Sequence, residues 1–436
     1  MTMTKPLVSP FYALKISLAL QSARACALSQ QVPFLRDPLL TEIVGIQVRV
    51  GDWEGASREV MSSEEAGKDA FLKTDLLAEM AKAQVSLGEF SGALSTIRDA
   101  LVLGYHASPF FSTLCRIAQG TGNIADEITA NEALDLAERA SSEELAKEKA
   151  IGFSRSTCSG HVTWLTYLAE AQAIGGRREK ADETLQSALD LMASGRYDLA
   201  GRESVLDVGY TDIVIVQSRI GDIPGALKTL EKMSDQGRRS GMGWIISMLA
   251  DGGDLAGALA FVAQIDEAES RTRALIEIAG SQARHGDSVG AQKTLARIER
   301  FTDRRERSEY LENRFYCTLA KVQCDRDSAP RALTQILQDV DKAQLDRFEV
   351  YEAVGEAYAA VGLVAEALQI FERIPSEKDM DGNEKFVKDS LVRMITKAHT
   401  MAGNVEVAEA WVRTLPSPSE QCYAWLGIVD GFVSLS

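Results

Sequence analysis

Apolar residues in this chain fall at helical spacing in short stretches that come in pairs, with a glycine between the two members. Ala274, Leu275, Ile276, Ile278 and Ala279 precede Gly286, and Ala291, Leu295 and Ile298 follow it. A period near 3.6 on both sides of a breaker predicts two amphipathic helices joined by a turn. The same glycine is followed five residues later by an alanine at Gly51/Ala56, Gly88/Ala93, Gly176/Ala181, Gly221/Ala226, Gly253/Ala258, Gly286/Ala291, Gly362/Ala367 and Gly403/Ala408. A ninth copy, Asp327/Ala332, keeps the alanine and loses the glycine. Self-similarity on this scale is the mark of a repeat array.

Each invariant feature has a physical reason. Glycine ends the first helix where the turn needs a left-handed backbone. An acid often follows it (Asp52, Glu89, Asp222, Asp254, Asp287), where a carboxylate favours the start of the next helix. The alanine lies one turn into that helix and lets the pair approach closely. So short a connection makes the two helices antiparallel. From residue 176 the turns are spaced 45, 32, 33, 41, 35 and 41 residues apart. The wide gap from 88 to 176 predicts a degenerate copy over 108–140, with Gln119 and Gly122 near its turn and Ala133–Ala140 in its second helix. Ser154–Ser159 with Gly160 reads as a loop, inside an irregular insertion near 140–165.

The stretch Tyr351, Val354, Gly355, Tyr358, Gly362, Ala367, Phe371 and Pro375 resembles the tetratricopeptide repeat (TPR). The other copies keep the turn glycine, the alanine and the apolar positions, and usually not the aromatics. The resemblance covers about residues 38–432 and implies an all-α, right-handed superhelical solenoid of about nine or ten antiparallel helix pairs. On that reading 1–36 is an N-terminal helix, serving as a cap or a targeting segment, and 37–436 is the array.

The resemblance also implies that first helices line the binding face. It places Lys82, Glu170, Arg273, Arg314, Lys321, Glu349, Glu352, Glu356, Arg393 and Lys397 there. They band as basic at 314 and 321, acidic at 349, 352 and 356, and basic at 393 and 397, a pattern suited to a charge-patterned peptide. A solvated face with charges paired between adjacent units is the alternative. At the position of Tyr358 six units carry glutamine (Gln47, Gln84, Gln172, Gln217, Gln282, Gln323), and His399 takes the place in another. Because that position lies beside the turn, a bond from each glutamine to a loop carbonyl in its own pair is favoured over a ladder gripping a peptide.

The chain's two ends differ in character. Residues 420–435 read as the first helix of a unit without its second, and carry Trp425, Leu426, Ile428, Val429, Phe432 and Val433 on more than one face. Trp425, Val429 and Phe432 are the candidate contacts there, for a partner, for a second copy in a homo-oligomer, or for the fold itself. Residues 1–36 contain no Asp or Glu and four basic residues, Lys5, Lys15, Arg24 and Arg36. Ala23-Arg24-Ala25 could pass for a cleavage site. Lys15 interrupts the apolar stretch 11–20 where an export signal needs continuity, so an ordinary helix is the main expectation, with an exported or organellar protein as the alternative.

Composition narrows the function classes. The 436 residues carry 63 acidic and 47 basic side chains, a net charge of −16, which predicts no general nucleic-acid binding. The best basic cluster, Arg304, Arg305 and Arg307, is interleaved with Asp303, Glu306, Glu309 and Glu312. No stretch approaches a membrane span. Six scattered cysteines without a CxxC predict a reduced, cytoplasmic protein. Phosphate loops, dinucleotide fingerprints, zinc-protease and nucleophile-elbow motifs are absent. Cys158 and His161 form a lone C-x-x-H, too few ligands for a metal. The expectation is a non-catalytic scaffold or adaptor without a cofactor, binding a protein segment in the groove near Arg314–Lys397 or at the last helix. A regulatory sensor closing on a peptide or small ligand is the alternative, and a catalytic subunit working from 140–165 the third.

Overall fold

The computed structural model describes residues 10–30, 33–65, 70–103, 108–123, 127–151, 155–193, 203–298, 309–322, 327–343, 348–374 and 385–435. The described chain is helical throughout, without strands. Its first helices are α1 (Pro10–Ser29), α2 (Pro33–Arg49), α3 (Trp53–Glu65), α4 (Ala70–Ser86), α5 (Phe90–Val102), α6 (Phe111–Asn123), α7 (Glu127–Ile151) and α8 (Arg155–Ile174). There follow α9 (Arg178–Ala193), α10 (Glu203–Arg219), α11 (Ile223–Leu230), α12 (Asp235–Asp251), α13 (Leu255–Val262), α14 (Ala268–Arg284) and α15 (Ser288–Leu295). The last are α16 (Glu309–Lys321), α17 (Ala329–Ala343), α18 (Phe348–Ala360), α19 (Val364–Arg373), α20 (Lys385–Met401), α21 (Val405–Val412) and α22 (Pro418–Ser434).

The helices gather into two compact units. The central unit is Glu54–Gln264, and the terminal unit joins Met1–Trp53 to Ile265–Ser436. In each, consecutive helices pack as hairpins and the first helices of successive hairpins pack on one another.

The glycines act as their spacing predicts. All eight hold φ between +75° and +85°, where a Cβ is penalised. Each turn closes with a bond from the N–H after the glycine to the carbonyl five residues back, as in Asp287 N to Gln282 O at 2.8 Å and Leu363 N to Tyr358 O at 2.8 Å. Asp222, Asp254 and Asp287 then cap the next helix, accepting from the N–H of Gly225, Gly257 and Gly290 at 3.0, 2.8 and 2.8 Å. The eight alanines are fully buried. The ninth copy departs: Ala332 is half-buried, while Ala329 and Leu333 take the buried places.

Glutamine has a different partner from the loop carbonyl expected. In four pairs its Oε1 accepts from a threonine hydroxyl twelve residues later on the second helix of the same pair, whereas Gln47 has Glu59 at that spacing and its Oε1 has no hydrogen-bond partner. The bonds are Thr96 to Gln84 at 2.9 Å, Thr184 to Gln172 at 2.8 Å, Thr229 to Gln217 at 2.8 Å and Thr294 to Gln282 at 2.7 Å. A buried amide carbonyl must be satisfied, and one hydroxyl across the hairpin does it. Where the first partner changes, so does the second: Leu249 goes with Phe261, Tyr358 with Ile370 and His399 with Trp411. Gln323 lies outside the described residues.

One further expectation is corrected, and another is met. Where a loop and irregular insertion were expected at 140–165, the described residues are helical: α7 runs to Ile151, α8 begins at Arg155, and His161 is a buried helical residue, while 152–154 lie outside the described residues. The degenerate copy over 108–140 is the α6–α7 hairpin, whose connection, 124–126, lies outside the described residues.

In the terminal unit α22 is a first helix whose hairpin partner is not sequence-adjacent. α1 packs on it, antiparallel. Tyr12 meets Phe432 at one end, with centroids 5.3 Å apart, and Cys26 Sγ lies 3.6 Å from Gln421 Oε1 at the other. Ile16, Ala19, Leu20, Ala23 and Ala27 are buried, as are Leu426, Val429 and Phe432. The other side of α22 lies close to α20. Gly427 sits against the Arg393 carbonyl and Thr396, and Gly431 against Thr400, with no room for a Cβ at either.

Candidate functional site

The first helices α14, α16 and α18 of the terminal unit enclose an open cavity of about 700 Å³. Glu277, Gly280 and Arg284 come from α14, Arg314, Cys317, Thr318 and Lys321 from α16, and Glu349, Glu352, Ala353 and Glu356 from α18. Helical spacing explains the grouping, since residues three and four apart share a face. Gly280 leaves the space that a side chain would fill.

The cavity carries opposite charges on facing helices. On one side Arg284, Arg314 and Lys321 bring cations, and Arg314 is held by Glu277 at 2.6 Å. On the other stand three carboxylates on one face of α18. Burial, then the charge of Glu356, pushes the Glu352 carboxyl up to about 7, with Lys321 opposing and Glu349 adding to the rise. Ser390 donates to Glu356 at 2.8 Å and steadies it. Burial and Glu349 likewise push the Cys317 thiol up to about 12, so it is a neutral thiol at pH 7.

Of the ten residues placed on the binding face from sequence, five line this cavity: Arg314, Lys321, Glu349, Glu352 and Glu356. Arg273 pairs along its own helix with Glu269 at 3.7 Å. Arg393 is taken up elsewhere: its guanidinium bonds Asp430 of α22 at 2.7 Å and also Glu42 of α2. Burial opposes that charge, but Asp430 and Glu42 outweigh it and raise the guanidinium pKa. Lys397, half-buried on α20, does not reach the cavity lining. In the central unit Lys82 pairs with Glu79 at 2.8 Å and Glu170 with Arg219 at 3.2 Å.

The C-terminal contacts, expected to meet a partner, a second copy or the fold itself, are largely covered from within the chain. Val429 is 0% and Phe432 2% exposed, with α1 packed on their helix, and Trp425 is half-buried. The unpaired apolar surface is thus filled by the chain's own N-terminal helix. Sequence alone gave no sign of Glu277, Gly280, Arg284 or Thr318 as cavity residues. Their spacing at 277, 280 and 284 on one helix face was the available signal.

No family model and no curated protein sequence matches this chain. Solved structures do. The maize pentatricopeptide repeat protein PPR10 is 17% identical, with a TM-score of 0.35, over 86% of this chain and 54% of its own. Ton1535 of Thermococcus onnurineus NA1 is 15% identical, with a TM-score of 0.33, over 82% of this chain and 98% of its own. Yeast Tom70 is 12% identical, with a TM-score of 0.31, over 90% and 95%. This is a helical-repeat fold. The chain spans about half the length of the maize protein, and likeness at this level speaks to the fold alone.

The exclusion of nucleic-acid partners drawn from net charge is corrected. PPR10 is also solved in complex with an 18-nt psaJ RNA element. A net charge of −16 describes the whole chain and does not fix the charge of any one surface. Among the described residues no helix is long and apolar enough to cross a membrane.

Proposed function

We propose that this chain is a non-catalytic binding scaffold whose α14–α16–α18 groove takes an extended segment of another protein. The observation that carries the reading is the charge division of the cavity. A cationic side chain of the segment seats among Glu349, Glu352 and Glu356, and an acidic one faces Arg284 and Lys321. Opposed charges fix the register and direction of the bound segment more than they add affinity. Helical-repeat arrays suit this task because stacked first helices present a continuous surface.

The test is a panel of fluorescent peptides of about ten residues, long enough to cross three helices, titrated with the full chain by anisotropy. Peptides pairing a Lys or Arg with an acid several residues away should bind, and Lys321→Glu should weaken them at least about tenfold while circular dichroism shows the chain still folded. Lys321 is preferred to Arg314 because reversing Arg314 would set a carboxylate against Glu277. A single-stranded RNA oligonucleotide is run beside the peptides. Binding of RNA in place of every peptide, or indifference to Lys321→Glu, overturns the reading.

A further inference from the structure

We propose that the groove exchanges a proton for the cationic side chain it binds, so that acid loosens its hold on the bound segment. The inference rests on the scaffold reading above and adds its regulation. Glu349, Glu352 and Glu356 stand three, four and seven residues apart, which puts their carboxylates on one face of α18. All three line the same cavity, and Glu352 and Glu356 are half-buried there. Like charges gathered in a partly dry site resist joint ionisation.

The helices around the cluster bring it little positive charge. From α16, Lys321 faces Glu352 and favours its charged form, whereas Arg314 is held by Glu277. Cys317 on the same helix is a neutral thiol, and Arg284 stands on α14, beyond α16. From α20, Ser390 gives Glu356 a hydroxyl, and the Arg393 guanidinium is turned to Asp430 and Glu42. Asp341 of α17 and Arg373 of α19 are bonded to Tyr351 instead. A proton therefore stands in for the missing cation, and it sits on Glu352, whose carboxyl is pushed up to about 7. A Lys or Arg side chain of the segment brings a second full charge to the same carboxylates. It draws the Glu352 pKa back towards the ordinary 4.5, and the proton leaves for solvent. Binding thus releases protons, and affinity falls as the pH drops below about 7.

The test titrates the full chain with the tightest histidine-free, arginine-bearing peptide of the panel, by anisotropy at about pH 8 and about pH 5.5. Circular dichroism at both values checks that the chain is folded. Calorimetry at about pH 7 in phosphate and in Tris, whose ionisation enthalpies differ, counts the protons released. Expected are an affinity at least about tenfold lower at the acid pH and release of about half a proton at pH 7. Glu352→Gln should bind more weakly than wild type at the alkaline pH, match it at the acid pH, and release no proton. Equal affinity at both pH values, or a fall as deep in Glu352→Gln as in wild type, overturns the exchange and leaves the scaffold reading standing. Failure of every peptide to bind at either pH overturns the scaffold reading, and the exchange with it.

Discussion

Glu352→Gln should stabilise the folded chain, and more so at high pH. The wild-type carboxyl titrates near 7 in the fold against an ordinary 4.5, because it is partly buried beside Glu356 and Glu349. A raised carboxyl pKa means that the folded state holds more protons than the unfolded state between those values, so stability falls as pH rises through that window. Taken at face value the full cost above pH 7 is about 3.4 kcal/mol, at 1.36 kcal/mol per tenfold. Glu352 is only half-buried, and solvent screening reduces this to about 1–2 kcal/mol. Glutamine keeps the shape and removes the charge. Urea unfolding followed by circular dichroism at about pH 8 and about pH 5 should therefore show a gain at the higher pH of about 1–2 kcal/mol that shrinks to a few tenths at the lower. A variant less stable than wild type at the higher pH, or an equal gain at both, would refute the placement of Glu352 among like charges.

Other predictions address the repeat itself. Gly286→Ala forces an L-residue to φ near +80° and should cost about 1–2 kcal/mol, read by the urea midpoint. Thr294→Val leaves the buried Gln282 carbonyl without its donor and should cost about 1–3 kcal/mol. Adding Gln282→Leu and changing residue 294 to Phe instead copies the Leu249/Phe261 pair, and a double-mutant cycle should show recovery of most of that loss. Gly427→Ala drives a methyl into the Arg393 carbonyl and Thr396 and should cost about 2 kcal/mol or more by separating α20 from α22, visible as a lowered Tm.

What could be read in the residues depended on how locally each feature is enforced. The turn glycines and buried alanines leave a mark because φ near +80° and a fully buried small site each admit few residue types. The Gln–Thr bonds are equally regular, twelve residues apart in four hairpins, yet glutamine and threonine occur so widely that the pairing is plain only once the hairpin geometry brings them together. The packing of α1 on α22 has no local signal at all. Cys26 and Gln421 are 395 positions apart, and an apolar helix face does not say which face will cover it. The same distance in sequence misassigned Arg393: its charge fitted the groove, but Glu42 and Asp430 reach it first. The serine-rich stretch misled through composition, since Ser156 and Ser159, both within α8, were read as part of a break.

The most direct test of the scaffold account is a crystal or cryo-EM structure of the full chain with the tightest peptide from the panel. The account predicts an extended segment across α14, α16 and α18, with a Lys or Arg side chain among Glu349, Glu352 and Glu356. A peptide bound elsewhere on the terminal unit, with this cavity left to solvent, would contradict it.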